Sequence, residues 1–400
     1  MKSSKNIVIL LTKDCMPIEA LPCYATTGAA NYWRGKTPNI DELAQKGTMF
    51  MRHYTAAPST AMAMSGMLTG HYPYEFAKRS HYVNASPSEF PSIFDSFQKE
   101  GYECHMIWDR TWIHMAWRFV REFGDEEKTI FHNLDIAQAT AAHKLGDKRL
   151  ERNDELLSET LKQIHNTLSE IDFSKKQFVW MHLPHILKGR RSYMDDMDVF
   201  DQVVGYVRNL VDDDCIFISS DHGHMNMHKG KISYGFDLYE PAIRIPLITP
   251  RIDGIETVIQ VTSNIDLPTI LFNREIPKAR DYVVSDTKYY AQQGRKVSLT
   301  SERYKYIYNA ADKSEELYDL EWDPQENYNI LKELIYDIDR DRNVFSNEYY
   351  FYPYEKEALL EYDILKKAFV SFYKRGSLKE RVLVGLRNAI GKKLTKFRKK

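Results

Sequence analysis

Residues 215–224 constrain the fold more than any other stretch, because an apolar run there stops abruptly at polar residues. The run 216–218 predicts a strand buried on both faces, as in a parallel sheet covered by helices. Asp221 and His222 follow it, and ligands of open α/β sheets gather beyond the carboxyl ends of strands. A carboxylate beside an imidazole can bind a divalent cation. The simpler interpretation of the same pattern is a strand followed by a polar turn.

A second apolar run, at residues 7–11, also predicts a buried strand and is followed by Lys13 and Asp14. Asp14 should therefore lie at the same sheet edge as Asp221, because the carboxyl ends of parallel strands meet there. A lysine beside it could lower the negative charge of a metal site or bind an anion directly. A surface Lys–Asp pair after a strand is the alternative.

Length and composition are compatible with one large core plus an appendage, as α/β enzymes of this size can have. The chain has 400 residues, of which 43% are hydrophobic, enough for a sizeable core and an appendage. No stretch has the length of a membrane-spanning helix, and the apolar run at 6–11 is too short for a secretory signal. The four cysteines (Cys15, Cys23, Cys104 and Cys215) show no paired spacing, so we expect reduced thiols in a cytoplasmic protein.

Hydrophobic periodicity elsewhere predicts helices that alternate with strands, the order typical of an α/β fold. Pro38 and Gly47 mark the start and the end of one predicted helix. Short aromatic strands at 282–284 and 304–308 instead indicate an antiparallel sheet. The other predicted helices cover residues 91–101, 153–171, 193–211 and 355–372, and the other predicted strands cover 48–54, 104–108 and 177–181.

Four segments match motifs that characterise one family of enzymes. They are Ser-Asp-His-Gly at 220–223, Thr-Pro-Asn-Ile-Asp-Glu-Leu-Ala-Gln-Lys-Gly at 37–47, Tyr-Glu-Pro-Ala-Ile-Arg-Ile-Pro-Leu-Ile at 239–248 and Glu-Leu-Tyr-Asp-Leu-Glu-Trp-Asp-Pro at 316–324. Together they resemble the sulfatases of the alkaline phosphatase superfamily. The resemblance implies an α/β fold with a central, mainly parallel sheet between helices. We expect a catalytic domain at 1–275, a small antiparallel C-terminal subdomain at 276–345 and a helical, basic tail at 346–400.

The resemblance places Thr60 at the position of the sulfatase nucleophile, counted back from Leu-Thr-Gly at 68–70. Sulfatases carry a cysteine there that becomes formylglycine, a conversion that threonine cannot undergo. Threonine is the nucleophile in the phosphoethanolamine, phosphoglycerol and nucleotide-phosphodiester branches of the superfamily, where a metal or base must activate it. The family's Pro and Arg positions fall on Met62 and Met64. Thr60 also lies where a helix should begin, so its neighbours' N–H groups could bind a phosphoryl oxygen, and a simple N-cap is the alternative.

The resemblance also implies a metal site and a proton donor. The implied ligands of one divalent ion (Mn, Mg, Ca or Zn) are Asp14, Thr60, Asp221 and His222. Lys13 stands where sulfatases have the first of two metal-binding aspartates. Pro184-His185 matches the family's catalytic Pro-His pair, and we expect His185 or His182 to protonate the leaving group. A turn histidine is the alternative.

Two sulfate-binding elements of the sulfatases are missing at their usual places. The strand at 104–108 is not followed by the family's Gly-Lys-Trp-His, and Arg110 or His114 could substitute as oxyanion binders. The lysine that normally precedes Tyr-Glu has no counterpart at the usual offset. Candidates for it are His228, Lys229 and Lys231, with solvated loop residues as the alternative.

The C-terminal residues differ from the rest of the chain in charge. Residues 374–400 hold eleven Lys/Arg and one Glu, or +10, so residues 1–373 carry about −11 of the total of −1. Apolar residues at helical spacing among these basic residues suit an anionic membrane surface. No other basic patch or RNA-type motif indicates nucleic acid. We expect a cytoplasmic protein that binds the inner face of the membrane through this tail; a solvated tail is the alternative.

These features favour a metal-dependent phosphoryl-type transferase or phosphoester hydrolase with Thr60 as nucleophile. The expected substrate is a lipid-linked molecule or an envelope polysaccharide. We expect it to carry a phosphorylated or sulfated glycan. A sulfuric-ester hydrolase is an alternative, against which the missing Cys or Ser argues. A degenerate, non-catalytic glycan-binding member is another, and Lys13, Met62 and Met64 favour it.

Overall fold

Strands and helices are interspersed along the part of the chain that the computed structural model describes, which is residues 6–25, 35–76, 90–109, 129–134, 149–184, 190–232, 234–287, 294–331 and 355–374. The strands are β1 (Ile7–Lys13), β2 (Thr48–Phe50), β3 (His53–Tyr54), β4 (Glu103–Trp108), β5 (Thr129–Asn133), β6 (Gln177–Leu183), β7 (Ile216–Ser220), β8 (Leu247–Thr249), β9 (Thr257–Val258), β10 (Thr262–Ser263), β11 (Val283–Asp286), β12 (Lys296–Thr300), β13 (Tyr304–Asn309) and β14 (Ser314–Asp319). The α-helices are α1 (Pro38–Lys46), α2 (Thr60–Thr69), α3 (Pro73–Phe76), α4 (Ile93–Lys99), α5 (Arg149–Ser169), α6 (Arg190–Leu210), α7 (Glu240–Ile243), α8 (Leu267–Asn273) and α9 (Glu355–Lys374).

An eight-stranded sheet forms the centre of the molecule, in the strand order β5-β4-β6-β1-β7-β8-β2-β9. β1 pairs in parallel with β6 and β7, and β4 pairs in parallel with β5 and β6. β8 runs antiparallel to both of its neighbours, β7 and β2. The predicted central, mainly parallel sheet is therefore confirmed.

Alternate residues of β1 enter two hydrophobic cores on opposite faces of this sheet. Ile9 and Leu11 pack in one core with apolar residues of α1, α5 and α6. Val8 and Leu10 pack in the other core with residues of α2, α4 and α8. Because helices cover both faces, β1 is apolar along nearly its whole length instead of alternating with polar residues.

Four further strands form a separate antiparallel sheet in the order β11-β12-β13-β14. This sheet confirms the predicted small antiparallel element near the C-terminus. Leu365 and Phe369 of α9 pack against Leu299 and Tyr306 of the sheet. α9 therefore packs with the antiparallel sheet, although its residues fall within the predicted tail at 346–400.

The single strand predicted at 48–54 is instead two short strands in different sheets. β2 pairs with β8 and β9 in the central sheet, whereas β3 pairs with β10. Between them, the Arg244 guanidinium donates to Met51 O from Nε at 3.0 Å and from Nη2 at 2.6 Å. This side chain takes the carbonyl that a continuous strand would offer to its neighbour, a long-range contact that local sequence does not reveal.

Candidate active site

The register of three central strands brings Asp14 and Asp221 to the same edge of the sheet. Lys13, the last residue of β1, lies opposite Leu183 of β6 and Ser220 of β7. The residues that follow therefore leave the sheet at one level, and Asp14 N donates to Leu183 O at 2.9 Å. This is the carboxyl edge at which open α/β sheets bind their ligands.

Ser220 and Asp221 fasten the turns after β1 and β7 to each other. The Ser220 hydroxyl donates to Lys13 O at 2.7 Å. Asp221 Oδ1 accepts from His222 N at 2.8 Å and from Cys15 N at 3.3 Å. Asp221 Oδ2 is buried and accepts no hydrogen bond from the described residues. Oδ1 of Asp221 thus accepts hydrogen bonds from the backbone, and Oδ2 is available to bind a ligand.

His222 directs the lone pair of Nε2 into the space between these groups. Its Nδ1 lies 2.8 Å from Gly223 O, and a carbonyl oxygen can only accept, so Nδ1 carries the proton of the neutral ring. Nε2 lies 3.1 Å from Thr60 Oγ1. It also lies 3.4 Å from Asp221 Oδ2 and 3.6 Å from Asp14 Oδ1. Four of the predicted site residues therefore converge on one point.

Thr60 is the first residue of α2, and its hydroxyl faces His222. The N-cap position of α2 is occupied by Ser59, so the interpretation of Thr60 as a simple N-cap is wrong. The side chain of Ser59 makes no capping hydrogen bond. The first N–H groups of a helix have no acceptor within the helix and carry its positive dipole end. Met62 and Met64 are buried in the hydrophobic core and add no charge to the site.

Lys13 is buried and its ammonium group is bound by protein acceptors. Nζ donates to Pro184 O at 2.9 Å and to Asp14 O at 3.4 Å. It also lies 3.7 Å from Oδ2 of Asp196, a buried carboxylate of α6. Two hydrogen bonds and one ion pair thus hold the ammonium group within the protein.

His182 is buried near the carboxyl end of β6, within electrostatic reach of the site. Trp180 Nε1 donates to Thr12 Oγ1 at 2.9 Å, and that oxygen lies 2.9 Å from His182 Nδ1. His182 Nε2 has no hydrogen-bond partner among the described residues. Burial lowers the pKa of His182, and the carboxylates of Asp221 and Asp14 oppose that shift without reversing it.

The donor set at this edge suits one divalent cation. Asp14 Oδ1 and Asp221 Oδ2 are buried carboxylate oxygens without a hydrogen-bond partner among the described residues. One ligand atom each of Asp14, Cys15 and His222 lies within 4.8 Å of the other two. Burial favours protonation of Asp14, but the electrostatic influence of His222, His182 and Lys13 together outweighs it, so the pKa of Asp14 is lowered, which favours the ionised carboxylate. Carboxylate and imidazole ligands are those that several divalent metals accept.

A comparison of the sequence with models of protein families identifies the family of this chain. Residues 5–273 match the model of the sulfatase family, which is more than half of the chain. The chain belongs to the sulfatase family. Sulfatases generally depend on a divalent metal, in keeping with the donor set.

Solved structures share the sulfatase fold at low sequence identity. A candidate sulfatase from Bacteroides thetaiotaomicron superposes with a TM-score of 0.67 at 16% identity, over 92% of this chain and 93% of its own. The phosphonate monoester hydrolase of Agrobacterium radiobacter gives 0.60 at 16%, over 84% and 93%. A structure in complex with D-glucosamine-2-N,6-O-disulfate gives 0.54 at 15%, over 84% and 95%. No curated protein matches this chain in sequence.

Three positions proposed from the sulfatase pattern to bind substrate lie at the junction with the antiparallel sheet. Lys229 Nζ donates to Glu326 O and lies over two tyrosine rings. Lys231 Nζ is paired with Asp237 Oδ1 at 2.7 Å. His228 Nε2 lies 3.9 Å from Glu326 Oε2, and burial lowers the pKa of its ring to about 4. None of these contacts is with Thr60 or His222, so a substrate role for the three stays a prediction. Arg110, His114 and His185 lie outside the described residues.

Sequence reasoning missed two residues that contact this sulfatase site. Cys15 has a φ of 60° and is 2% exposed, and burial raises the pKa of its thiol, with the charges of Asp14 and Asp221 adding to the shift. The ring of Tyr234 stacks on that of His222, with centroids 4.7 Å apart. The position of Cys15 next to Asp14 was a usable signal. The sequence around Tyr234 gave no such signal, because its contact with His222 depends on the tertiary structure.

Proposed function

We propose that this chain is a metal-dependent enzyme that transfers or hydrolyses phosphoryl-type esters, with Thr60 as the nucleophile. The observation that carries the proposal is the distance of 3.1 Å between Thr60 Oγ1 and His222 Nε2. It sets a hydroxyl at the start of a buried helix beside the carboxylates of Asp14 and Asp221. Threonine needs such an environment, because its hydroxyl is a weak nucleophile at neutral pH.

Asp14, Asp221, His222 and Thr60 would hold one divalent cation, of Mn, Mg, Ca or Zn. When bound, it supplies positive charge that favours loss of the hydroxyl proton and polarises the phosphoryl group. The N–H groups at the start of α2 would bind a phosphoryl oxygen. With the cation bound, Thr60 would have two sources of positive charge nearby.

The residues of the chain account for the remaining steps. The hydroxyl proton of Thr60 passes to solvent, and Thr60 Oγ1 forms a bond to phosphorus while the bond to the leaving-group oxygen breaks; that oxygen takes a proton from His182 or His185. An acceptor hydroxyl or water then gives its proton back to that histidine and attacks phosphorus, the bond from phosphorus to Thr60 Oγ1 breaks, and Oγ1 takes a proton from solvent. Support for His182 is its buried Nε2, which has no hydrogen-bond partner among the described residues.

The substrate that we propose is lipid-linked or an envelope polysaccharide, met by a cytoplasmic protein at the inner face of the membrane. The basic residues at 374–400 support the membrane part of this proposal. Support for a glycan comes from similar structures, one of them a 2-O GAG sulfatase and another bound to a glucosamine disulfate.

Two other functions have observations in their favour. Sulfuric-ester hydrolysis is favoured by family membership and opposed by Thr60, which cannot become formylglycine. Glycan binding without catalysis is favoured by Lys13, Met62 and Met64, none of which can play the part of the family's residue. The carboxylates of Asp14 and Asp221, which converge beside His222, argue against it, since a glycan-binding module has no need of a metal site.

The test compares Thr60→Ala with Thr60→Ser, which keeps the hydroxyl and serves as the matched control. We expect the wild type to hydrolyse p-nitrophenyl phosphate or bis-p-nitrophenyl phosphate in the presence of divalent metal. Thr60→Ala should lose at least about 1,000-fold in kcat/KM, because a nucleophile has no substitute, and Thr60→Ser should retain measurable activity. Full activity of Thr60→Ala, or efficient release of sulfate from p-nitrophenyl sulfate by the wild type, would contradict the proposal.

A further inference from the structure

A strained turn places the Cys15 thiol inside the site. With a φ of 60°, this non-glycine residue lies in the left-handed region, which costs conformational free energy and persists only where the surroundings hold it. The turn is held by the bond from Cys15 N to Asp221 Oδ1 at 3.3 Å. The side chain is 2% exposed, so the thiol is directed into the protein and not into solvent.

The groups around the thiol are the proposed metal ligands. Cys15 Sγ lies 3.9 Å from Nδ1 of His222, the imidazole whose other nitrogen, Nε2, is open. One ligand atom each from Asp14, Cys15 and His222 lies within 4.8 Å of the other two. Independently of the cysteine, Asp221 has a fully buried side chain whose Oδ2 has no hydrogen-bond partner among the described residues. A buried carboxylate oxygen of this kind calls for a cation.

We propose that Cys15 is a ligand of the same metal as Asp14, Asp221 and His222. The inference rests on the metal-dependent function proposed above and narrows the class of metal. On binding, the S–H bond is replaced by a sulfur–metal bond and the thiol proton passes to solvent. The cation carries the charge that makes a buried thiolate tolerable beside two carboxylates.

A thiolate ligand changes which metal the site prefers. Mg²⁺ and Ca²⁺ are hard cations that take oxygen ligands, whereas Zn²⁺ and Co²⁺ accept sulfur, nitrogen and oxygen together. The site should therefore retain Zn²⁺ or Co²⁺ in competition with Mg²⁺ and Ca²⁺. The imidazole of His222 already favours Zn²⁺ or Co²⁺ to some extent, and a thiolate ligand should strengthen that preference.

The experiment loads the full chain with Co²⁺ and records its near-ultraviolet spectrum. We expect a sulfur-to-cobalt charge-transfer band in the wild type and in Cys23→Ser, the matched thiol control, but not in Cys15→Ser. Cys15→Ser should bind Zn²⁺ about 10- to 100-fold more weakly, while its affinity for Mg²⁺ changes little. Identical cobalt spectra of the wild type and Cys15→Ser would overturn the assignment.

A second measurement needs no variant and so does not depend on the folding of Cys15→Ser. X-ray absorption of the zinc-loaded wild type should show a sulfur neighbour at about 2.3 Å. A zinc environment of nitrogen and oxygen alone would overturn the role of Cys15 and leave the proposed function in place. A wild-type chain that binds no divalent metal would overturn both.

Discussion

At the scale of single residues, each ligand of the site uses one of its polar atoms to fix its position and presents the other. Asp221 accepts backbone hydrogen bonds at Oδ1 and leaves Oδ2 open. His222 donates from Nδ1 to Gly223 O and leaves Nε2 open. Ligands oriented in this way lose little conformational freedom when a metal binds, and such outer hydrogen bonds also fix the tautomer.

Asp221→Asn should abolish metal binding while the fold persists. The amide oxygen of asparagine can still accept from His222 N and Cys15 N, but the negative charge and the open oxygen of the carboxylate are lost. A metal present at 100 times its Kd adds about 2.7 kcal/mol to the free energy of unfolding. A chelator should therefore lower the Tm of the wild type, reversibly on addition of metal, and leave the Tm of Asp221→Asn unchanged.

The measurement is thermal unfolding with and without chelator. Asp212→Asn, at an exposed aspartate of the segment that leads into β7, is the matched control and should respond like the wild type. An equal response of the wild type and Asp221→Asn would show that the metal binds elsewhere.

Residues that follow strands were predictable, and their long-range partners were not. Asp14 and Asp221 each come directly after an apolar run, so strand ends alone placed them at one edge. Lys13 was left open as an anion binder, because its carboxylate partner Asp196 lies on α6, far away in sequence. The backbone conformation of Cys15 likewise depends on Asp221, which follows the neighbouring strand β7 and is distant in sequence.

At the scale of elements, the packing of α9 should stabilise the antiparallel sheet. Leu365 is fully buried against the sheet, whereas Leu360, five residues earlier on the same helix, is 63% exposed. We expect Leu365→Ala to lower the free energy of unfolding by about 2–5 kcal/mol, through lost burial and the cavity left behind. Leu360→Ala should change it by no more than about 0.5 kcal/mol.

Denaturant unfolding of the full chain measures both variants, with fluorescence and circular dichroism as independent probes. Equal losses in the two variants would contradict the packing of α9. A transition of the antiparallel sheet that separates from that of the central sheet would be visible as a difference between the probes.

A buried ion cluster joins α7 to the antiparallel sheet. Lys305 Nζ of β13 lies 2.6 Å from Glu240 Oε1 and 2.8 Å from Glu326 Oε1. Glu326 Oε2 accepts from Glu240 N at 2.7 Å. Burial raises the pKa of Glu326 to about 7, with Lys305 opposing the shift and Glu240 adding to it. Two carboxylates thus share one ammonium group, and the cluster makes stability depend on pH.

Glu326→Gln should remove part of that dependence. The pKa of Glu326 in the folded protein lies above its ordinary value of 4.5, so between pH 4.5 and about 7 the folded state binds more protons than the unfolded state. The contribution of this group to stability therefore falls as the pH rises through that window. We expect the Tm of Glu326→Gln, relative to that of the wild type, to be higher at pH 8 than at pH 5. Curves of Tm against pH that run parallel would contradict this assignment.

Elements were predicted best where one local pattern decides them. Pro38 and Gly47 bound α1 as expected, and the apolar runs of β1, β6 and β7 are strands. The split at Met51 was not predictable, because it depends on Arg244. The order of strands in the central sheet could not be predicted from local pattern either. β1 and β7 are neighbours in the sheet, although many residues separate them in the sequence.

At the scale of the whole molecule, charge is divided unequally along the chain. Residues 374–400 carry +10 and the remainder about −11, from a total of −1. Within the described stretches, no helix is both long enough and apolar enough to cross a membrane. Membrane binding would therefore depend on the basic tail, since the negative remainder is repelled by anionic lipid.

A chain that ends at Gly376 retains α9 and loses nine Lys/Arg and one Glu, or +8. We expect it to stay in solution in a flotation assay with anionic liposomes, while the full chain floats. Each basic residue near the surface contributes about 1 kcal/mol, which salt screens, whereas apolar residues such as Leu386 and Phe397 add a term that salt does not screen. Binding of the full chain should thus weaken with salt without vanishing, and should be slight on neutral liposomes. The shortened chain should hydrolyse a small soluble ester as well as the full chain, since no proposed site residue lies beyond Lys231. Equal behaviour of the two chains on anionic liposomes would contradict the membrane proposal and leave the catalytic one untouched.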